Sequence, residues 1–197
     1  MTRDARDHGY FDALYAADPD PWRFETSKYE ARKYAATIAA LPRRRYAAAV
    51  EFGCSIGVLT EQLAAVSETV LGIDVAQAAL DRAVARCTAL PHVRFARMRI
   101  PDEMPAPRFD LILLSEVLYY FELQTLVWLA DRIRPIAAPG ADLLLVHWLG
   151  PTPDYPLSGD SAVGAFISAT EGWTRITRQE RQADYRLDVL RVAQAAG

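Results

Sequence analysis

The sequence predicts an α/β fold in which a mostly parallel, doubly wound sheet is covered by helices on both faces. From Tyr46 onward, short apolar segments alternate with helical ones, and most of the short segments are apolar throughout, as is typical of strands buried on both faces. Near the C-terminus two further segments favour an antiparallel hairpin. The chain has 197 residues, of which 51% are hydrophobic and 24% charged, and this length and composition predict one domain.

The amino-acid counts limit the classes of protein that fit. Lys and Arg number 22 against 25 Asp and Glu, a formal net charge of −3, which argues against a general nucleic-acid or membrane-surface binder. No apolar run approaches the length of a membrane span, and the first residues lack the apolar core of a signal peptide. Two cysteines, Cys54 and Cys87, are too few for a disulfide framework, and no cluster has metal-ligand spacing. We therefore expect a cytoplasmic protein without metal, membrane or nucleic-acid partners.

The first 45 residues are expected to form an arm and one helix. Polar and aromatic residues continue to Trp22 and end in DPDPW, where two prolines remove amide donors, so an irregular arm is predicted. A helix follows at 28–41, with Ser27 placed to cap its N-terminus and Pro42 just beyond its end.

The rest of the chain alternates between strands and helices. Apolar segments predict strands at 47–53, 68–74, 92–98, 109–117 and 141–148. Helices are predicted between them at 58–66, 76–90 and 123–137, the last ending at the sequence APG. Three prolines then mark a loop, and a short helix is expected at 159–169. The segments at 173–181 and 183–192 are expected to pair as the hairpin.

The first candidate site is the segment VEFGCSIG, which follows a strand and opens a helix. Gly53 can adopt a positive φ where the strand must turn, and Gly57 lets the backbone approach a ligand. The loop lacks both the glycine spacing of a dinucleotide-binding loop and the lysine of a phosphate-binding loop. A tight turn without a ligand is the alternative interpretation.

Asp74 ends the second predicted strand. A carboxylate at this place can accept hydrogen bonds from both hydroxyls of a ribose, and it disfavours a cofactor with a 2′-phosphate. Its alternative role is to cap the next helix. Together with the glycine turn, the position favours ribose binding.

A third candidate site is the polar pair Ser115 and Glu116 within the otherwise apolar segment LLSEVLYYF. Charged residues are rarely buried unless they are paired, so the pair Ser115 and Glu116 indicates a function at the end of this strand. There Glu116 would face the crevice in which open α/β sheets bind ligands. Of the two tyrosines that follow, we expect one in the core, and Tyr120 is the candidate for the site.

His147 ends the fifth predicted strand, next to Trp148. An isolated histidine is more often structural than functional, but its position at a second strand end makes a role in the site an equal alternative. The remaining histidines, His8 and His92, have no such context.

These residues resemble a known family. The pattern E-x-G-x-S-x-G, the acid at Asp74, the segment FDLILLSEV and the sequence APG are similar to class I S-adenosylmethionine-dependent methyltransferases. DPWRF, YEARKY and SEVLYYF resemble one subgroup, the NodS-like enzymes, over residues 10–139. The resemblance implies a Rossmann-like, seven-stranded fold, S-adenosylmethionine as cofactor, and N-methylation of the amino sugar of a lipo-chitooligosaccharide. The segment HW…YPLSGD and the hairpin do not match the subgroup.

The resemblance also implies roles for single residues. The turn at 53–57 would lie under the methionine part of the cofactor, and Asp74 would hold the ribose. Lys33 would pair with the cofactor's carboxylate. The implied cofactor-binding residues are Trp22, Lys33, Gly53, Cys54, Ser55, Gly57, Asp74, Val75, Ile100 and Ser115. One position departs from the family, because Met98 and Arg99 stand where many relatives have an acid for the adenine amino group; we expect backbone groups to contact the adenine instead.

The candidate catalytic residues are Glu116, His147 and Tyr120. Methyl transfer needs mainly proximity and alignment. Glu116 would orient an amine by a charge-assisted hydrogen bond, and His147 would take its proton. Residues 1–45 and the loop at 148–160 would close over a core at 46–148, with 149–197 on the substrate side.

The leading hypothesis is a small-molecule methyltransferase that acts on an amino sugar or a similar polar amine. Methylation of a sugar or natural-product hydroxyl is the alternative on the same fold. Two hypotheses come from other classes: an NAD-dependent oxidoreductase, against which the glycine spacing argues, and a non-catalytic protein that binds S-adenosylmethionine.

Overall fold

A computed structural model describes residues 8–106 and 108–194. The helices are α1 (His8–Ala17), α2 (Lys28–Ala39), α3 (Val58–Ala64), α4 (Gln77–Arg86), α5 (Leu123–Ile133) and α6 (Gly159–Thr170). The strands are β1 (Tyr46–Phe52), β2 (Ser67–Asp74), β3 (Val93–Arg97), β4 (Phe109–Ser115), β5 (Ala137–Trp148), β6 (Thr174–Arg181) and β7 (Tyr185–Val192). Short 3₁₀ turns at Leu118–Tyr120 and Arg134–Ile136 flank α5. Residues 1–7 of the expected arm lie outside the described residues.

The seven strands form one sheet in the order β3-β2-β1-β4-β5-β7-β6. Strands β1 to β5 pair in parallel, whereas β7 runs antiparallel to both β5 and β6. The predicted doubly wound, Rossmann-like sheet with its C-terminal hairpin is confirmed. The chain moves outward from β1 to β3 and then returns to place β4 on the other side of β1. The strand order therefore reverses between β1 and β4, and ligands bind at such a reversal in open α/β sheets.

Strand β4 shows why the central strands are apolar throughout. Leu111 and Leu113 pack with residues of α2 and α3 on one face. Ile112 and Leu114 pack with α5 and α6 on the other. Helices cover both faces of this strand, so every position from 111 to 114 is fully buried, and alternation of polar and apolar residues is lost.

Helix α2 carries a buried polar face toward the sheet. Ser27 caps its N-terminus, as predicted, because the side chain accepts a hydrogen bond from the backbone N–H of Glu30. The residues that the helix buries are Glu30, Lys33, Tyr34 and Thr37. This face therefore delivers charged groups to the interior, and they reappear in the site described below.

The predicted irregular arm is wrong for residues 8–17, which form α1. The two prolines at 19 and 21 constrain only the turn that follows, and they leave the preceding residues free to be helical. Phe11 and Tyr15, one turn apart, pack against the cluster that contains Ile56 and Ala79. Tertiary burial of this aromatic face therefore stabilises a helix that the polar composition did not indicate.

The predicted boundary between the fourth helix and the fifth strand is also wrong. Helix α5 ends at Ile133, and β5 already begins at Ala137, before the APG sequence. The pairing moves from Phe109 opposite Ala137 to Leu111 opposite Asp142, so β5 bulges out between these pairs. Gly140 takes a φ of 71° in the bulge. The glycine that was expected to precede the strand therefore lies within it.

None of the helices in the described ranges is both long and apolar enough to cross a bilayer. Within the same ranges, no group of three or more His, Cys, Asp or Glu side chains is arranged to hold a metal ion.

Candidate active site

A cavity of about 500 Å³ opens at the carboxyl ends of β1, β2 and β4. Its position is the strand-order reversal, and its volume lies within the range of small-molecule sites. Residues from α1, α2 and the loop after β5 close its sides. The predicted site residues that line it are Trp22, Lys33, Gly53, Cys54, Ser55, Asp74, Val75, Ile100, Ser115, Glu116 and Tyr120. Two predicted site residues, Gly57 and His147, are absent from the described residues that line it.

The turn after β1 forms one edge of the cavity. Gly53 has a φ of 75°, and a Cβ atom there would lie 3.3 Å from Cγ2 of Val117, so the position needs glycine for both its backbone and its space. Ser55 also has a positive φ of 50°. A non-glycine residue in this region is strained, and such strain is concentrated at functional sites.

Gly57 lies in close contact with helix α4. A Cβ atom at this position would lie 2.9 Å from Cβ of Ala83 on α4, and its φ is 79°. The close approach accounts for the glycine by packing, and its part in cofactor binding stays a prediction. The glycine is required because α3 begins where α4 passes closely behind it.

Asp74 ties the turn to the start of α4. One carboxylate oxygen accepts the backbone N–H of Ser55 at 2.8 Å and the other accepts that of Ala76 at 2.9 Å. Burial raises the pKa of this carboxyl, although these hydrogen bonds oppose the shift. Asp74 is not the N-cap that was the alternative, because Ala76 holds that position without a side-chain cap. Each carboxylate oxygen of Asp74 keeps a further lone pair for a ligand.

The far wall beyond Asp74 is apolar. Val75, Met98 and Ile100 line it together with Arg99. The backbone N–H of Met98 donates to the carbonyl of Asp74 at 3.1 Å, so β3 continues the wall from β2. Apolar side chains beside a carboxylate suit a nucleoside, with the base against the apolar residues and the sugar at the acid.

An aromatic cover lies over the turn. The hydroxyl of Tyr15 on α1 hydrogen-bonds the hydroxyl of Ser55. Trp22 stacks on Phe24 with ring centroids 5.6 Å apart and contacts the edge of Tyr15 at 5.8 Å. These side chains line the cavity, so the N-terminal segment contributes directly to its walls.

The opposite end of the cavity holds a buried charge cluster of Glu30, Lys33 and Glu116. Nζ of Lys33 donates to Oε1 of Glu116 at 2.6 Å and to Oε1 of Glu30 at 3.0 Å. Burial by itself would lower the pKa of Lys33, but the two carboxylates outweigh it and raise that pKa. Burial raises the pKa of Glu30 despite its lysine partner. Lys33 is thus ionised between two acids.

This arrangement gives Lys33 two partners within the protein. The resemblance implied that the ammonium would pair with the carboxylate of a cofactor. Its side chain is only 2% exposed, and both carboxylate partners belong to the protein itself. These two hydrogen bonds use two of the three ammonium donors, and pairing with the carboxylate of a cofactor stays a prediction.

Glu116 is held in an unusual backbone conformation. Its φ is 55°, in the left-handed region that most side chains avoid. Its second carboxylate oxygen accepts the backbone N–H of Trp148 at 2.9 Å. The polar residue that follows the apolar strand is therefore aimed at the cavity by contacts from α2 and β5, as the strand-end position predicted.

His147 does not reach the cavity. Its side chain is fully buried, and Nε2 accepts hydrogen bonds from the backbone N–H groups of Val117 at 3.3 Å and Leu118 at 3.0 Å. Burial lowers the pKa of His147 to about 3, with a further contribution from Lys33 and Arg186. The geometry therefore does not support the predicted base, since the nitrogen that would take a proton is already an acceptor inside the protein.

Both tyrosines after Glu116 line the cavity, whereas one was expected in the core. Tyr119 stacks on Tyr155, with centroids 5.4 Å apart and planes 5° from parallel. Tyr120 meets the edges of Tyr155 at 4.5 Å and of Phe11 at 5.1 Å. Burial raises the pKa of both hydroxyls, so the two rings present neutral phenols and apolar faces at the substrate side.

Glu51 is a site residue that the sequence interpretation did not select. It lies on β1 directly before the turn, lines the cavity and is buried. Its carboxylate accepts the hydroxyl of Thr60, and burial raises its pKa to about 8. An acid inside the otherwise apolar segment AAAVEF was the available signal, of the same kind that identified Glu116. Cys54 beside it is buried, and burial raises the pKa of its thiol.

Comparison with known proteins agrees with this geometry. The family model of nodulation protein S (NodS) matches residues 8–138. Nodulation protein S of Bradyrhizobium diazoefficiens is 36% identical over 139 residues, which is 70% of this chain and 65% of the relative. Nodulation protein S of Rhizobium tropici is 31% identical over 131 residues, 66% of this chain and 55% of the relative. The chain thus spans less than two thirds of the length of these relatives.

Two solved structures share the fold over most of the chain. N-methyltransferase NodS from Bradyrhizobium japonicum WM9, in complex with S-adenosyl-L-homocysteine, superposes with a TM-score of 0.81 at 24% identity, covering 94% of this chain and 99% of that one. A putative methyltransferase from Pseudomonas syringae has a TM-score of 0.74 at 32% identity and covers 84% and 99%. With the family model matched over residues 8–138, the chain belongs to the nodulation protein S family.

Proposed function

We propose that this protein is an S-adenosylmethionine-dependent methyltransferase that methylates the nitrogen of a small polar amine. One observation carries the proposal: a single cavity of about 500 Å³ is lined both by Asp74 and by the acidic cluster of Glu30, Lys33 and Glu116. Family membership supports it. The family member from Bradyrhizobium japonicum is named an N-methyltransferase and was solved with S-adenosyl-L-homocysteine.

The described residues fit the proposed methyl donor. Asp74 has lone pairs left for the ribose hydroxyls. The apolar wall of Val75 and Ile100 suits adenine, and the turn at 53–57 with the Trp22 cover suits the amino-acid part. The bound donor would supply a methyl group on a sulfonium, which leaves as a neutral thioether. The residues of the chain then have to align the acceptor and keep water out.

The acidic cluster favours an amine as acceptor. It contains two carboxylates and one ammonium, so with both acids ionised its net charge is negative. Glu116 lines the cavity and can accept a charge-assisted hydrogen bond from an amine N–H. A bond of this kind directs the remaining face of the nitrogen toward the centre of the cavity. Glu30, at the same end, adds negative charge that favours a cationic partner.

Methylation of a hydroxyl is less well supported. A sugar hydroxyl needs a base within hydrogen-bond reach, because its oxygen is a poor nucleophile when protonated. His147, the one imidazole expected at the site, is buried away from the cavity and already accepts two backbone hydrogen bonds. An amine needs no base during the transfer itself once its ammonium form has released a proton to solvent. The neutral nitrogen then attacks the methyl group, the thioether leaves, and the product is a methylated ammonium.

We further propose that the amine is carried by a sugar. The rings of Tyr119, Tyr120 and Tyr155 line the mouth of the cavity on the side of Glu116, and aromatic faces pack well against the apolar faces of pyranose rings. This assignment accords with the nodulation protein S family. The family model ends at residue 138, so Tyr155 lies outside the matched part, whereas Glu116, Tyr119 and Tyr120 lie within it.

Transfer of a labelled methyl group tests the proposal. The full chain is incubated with S-adenosylmethionine labelled on its methyl group and with glucosamine oligosaccharides bearing one free amine, their fully N-acetylated counterparts, and neutral oligosaccharides. Label in the free-amine sugar alone is the expected result. Label in the acetylated or neutral sugars would indicate hydroxyl methylation and overturn the N-methyl assignment. Binding of the donor without transfer to any acceptor would instead favour a non-catalytic binding protein.

A further inference from the structure

His147 is a fully buried titratable residue that the proposed reaction does not use. Its Nε2 lies 3.3 Å from the backbone nitrogen of Val117 and 3.0 Å from that of Leu118. Backbone N–H groups only donate, so Nε2 must be the acceptor and must carry no proton. A neutral ring then has its proton on Nδ1.

The two accepted groups belong to the turn that directly follows Glu116. Glu116 itself has a φ of 55°, and its backbone N–H donates to the carbonyl of Val146 at 2.9 Å. Its carboxylate accepts the N–H of Trp148 at 2.9 Å. Three consecutive residues of β5 therefore hold Glu116 and the turn after it, and His147 is the central one of the three.

Resting on the proposed function, we propose that His147 is a positioning residue for methyl transfer: its unprotonated Nε2 fixes the turn at 117–118 and thereby holds the carboxylate of Glu116 in the cavity. It is not a base in this assignment. Without the acceptor, two buried backbone N–H groups would lose their partner, and the strained residue beside them would be free to relax.

The surroundings of the ring keep it neutral. Lys33 of α2 and Arg186 of β7 both place positive charge toward it, and these charges add to burial in lowering the pKa of His147. The ring of Tyr119 meets the imidazole edge-on at 5.7 Å. Glu116 contacts the neighbours of His147 on β5, Val146 and Trp148. A second proton would have to be placed on Nε2, where two backbone N–H groups already donate, so the surroundings disfavour it. Among the described residues, Nδ1 has no hydrogen-bond partner.

The tautomer of His147 is the first test, and it does not depend on activity. Nitrogen chemical shifts of the histidine rings, recorded on the full chain between about pH 6 and pH 8, cover the range in which an unperturbed histidine titrates. We expect the His147 signals to show a neutral ring protonated on Nδ1 throughout. A titration within this range, or a proton on Nε2, would overturn the proposal.

Kinetics of three variants are the second test. His147→Leu removes the acceptor, and we expect kcat to fall about tenfold or more because a small displacement of an aligning group is costly. His147→Gln places an amide oxygen at a similar reach and is expected to recover most of that loss, with the shape of the pH profile unchanged. His92→Gln, on the loop before β3, is the matched control and should leave kcat unchanged.

The outcomes are separable. If His147→Gln is as inactive as His147→Leu and the alkaline or acidic limb of the pH profile disappears, His147 is a base and the proposal is wrong. If His147→Leu keeps full activity while folded, the turn does not depend on His147 and the proposal is also wrong. A wild-type protein that transfers no methyl group counts against the proposed function. The tautomer measurement still shows, independently of activity, whether Nε2 of His147 is unprotonated.

Discussion

Nζ of Lys33 and Oε1 of Glu116 lie 2.6 Å apart, although the two residues are separated by 83 positions in the sequence. The contact joins α2 to the end of β4 at the strand-order reversal. It means that the negative charge of Glu116 is already partly balanced before any ligand binds. In the proposed function, a substrate amine shares this carboxylate with Lys33, and the geometry of the cluster then controls how the acceptor is held.

Removal of the charge at Glu116 should slow turnover and spare donor binding. In Glu116→Gln the side chain keeps its size but loses the charge-assisted hydrogen bond to the amine, and we expect kcat to fall at least about tenfold. The affinity for S-adenosylhomocysteine, measured by calorimetry, should stay within about twofold, because this residue lies away from the Asp74 end. Glu122→Gln, an exposed change near the same strand end, is the control. Normal turnover in Glu116→Gln would remove it from the catalytic set.

Removal of the positive charge of Lys33 should destabilise the fold. Lys33→Met leaves the carboxylates of Glu30 and Glu116 close together without a counter-charge, and we expect a loss of about 3 kcal/mol in the free energy of unfolding. Urea unfolding measures it, with Lys28→Met, an exposed change on the same helix, as the control. The loss should shrink at low pH, where the carboxyls are protonated. An unchanged free energy of unfolding at neutral pH would show that Lys33 is not needed to offset repulsion between the carboxylates of Glu30 and Glu116.

The buried carboxyl of Glu51 predicts a pH dependence of stability. Its folded pKa of about 8 lies above its ordinary value of 4.5, so between these values the folded state binds the proton more than the unfolded state does. The contribution of Glu51 to the free energy of unfolding is therefore fully present below about pH 4.5. It is lost as pH rises toward 8, by on the order of 5 kcal/mol. Glu51→Gln should flatten this slope, whereas exposed Glu68→Gln should not. Equal slopes in wild type and Glu51→Gln would contradict the assignment.

Closure over the cavity remains a prediction from the sequence. Trp22, Pro151, Thr152 and Tyr155 line the cavity from the two segments that were expected to close it. If both segments are ordered by the ligand, hydrogen exchange of the segment around Trp22 and of the loop at 148–160 should slow when S-adenosylhomocysteine binds. The amides of α5, away from the cavity, serve as the reference. Unchanged exchange in both segments would exclude a lid.

Much of the fold was predictable because its signals are local. The apolar strands, the Ser27 cap and the hairpin each follow from a few neighbouring residues. The two wrong predictions, the irregular arm and the start of β5, come from tertiary packing and strand pairing. Helix α1 is stabilised by packing of Phe11 and Tyr15 against residues far along the chain. The early start of β5 depends on a bulge that only its pairing with β4 defines.

The site shows the same division. Asp74 and Glu116 were found because a polar residue at the end of an apolar strand is unusual, and Glu51 offered the same signal. The partner of Lys33 was not predictable, since both residues have many possible partners at long range. His147 was placed correctly at a strand end. Its role depends on whether its side chain points into the cavity or into the protein interior, and it points into the interior. That direction depends on the pairing register, in which His147 faces Arg186.

The most direct test of the account is donor binding at Asp74. Calorimetry of S-adenosylhomocysteine with wild type, Asp74→Ala and the exposed control Asp81→Asn measures it, alongside a crystal structure of the wild-type complex. Loss of two hydrogen bonds to a charged acceptor predicts an affinity lower by about tenfold or more in Asp74→Ala, with the ribose hydroxyls on the Asp74 carboxylate in the crystal. Equal affinity in all three proteins, or a ligand outside this cavity, would contradict the proposed function.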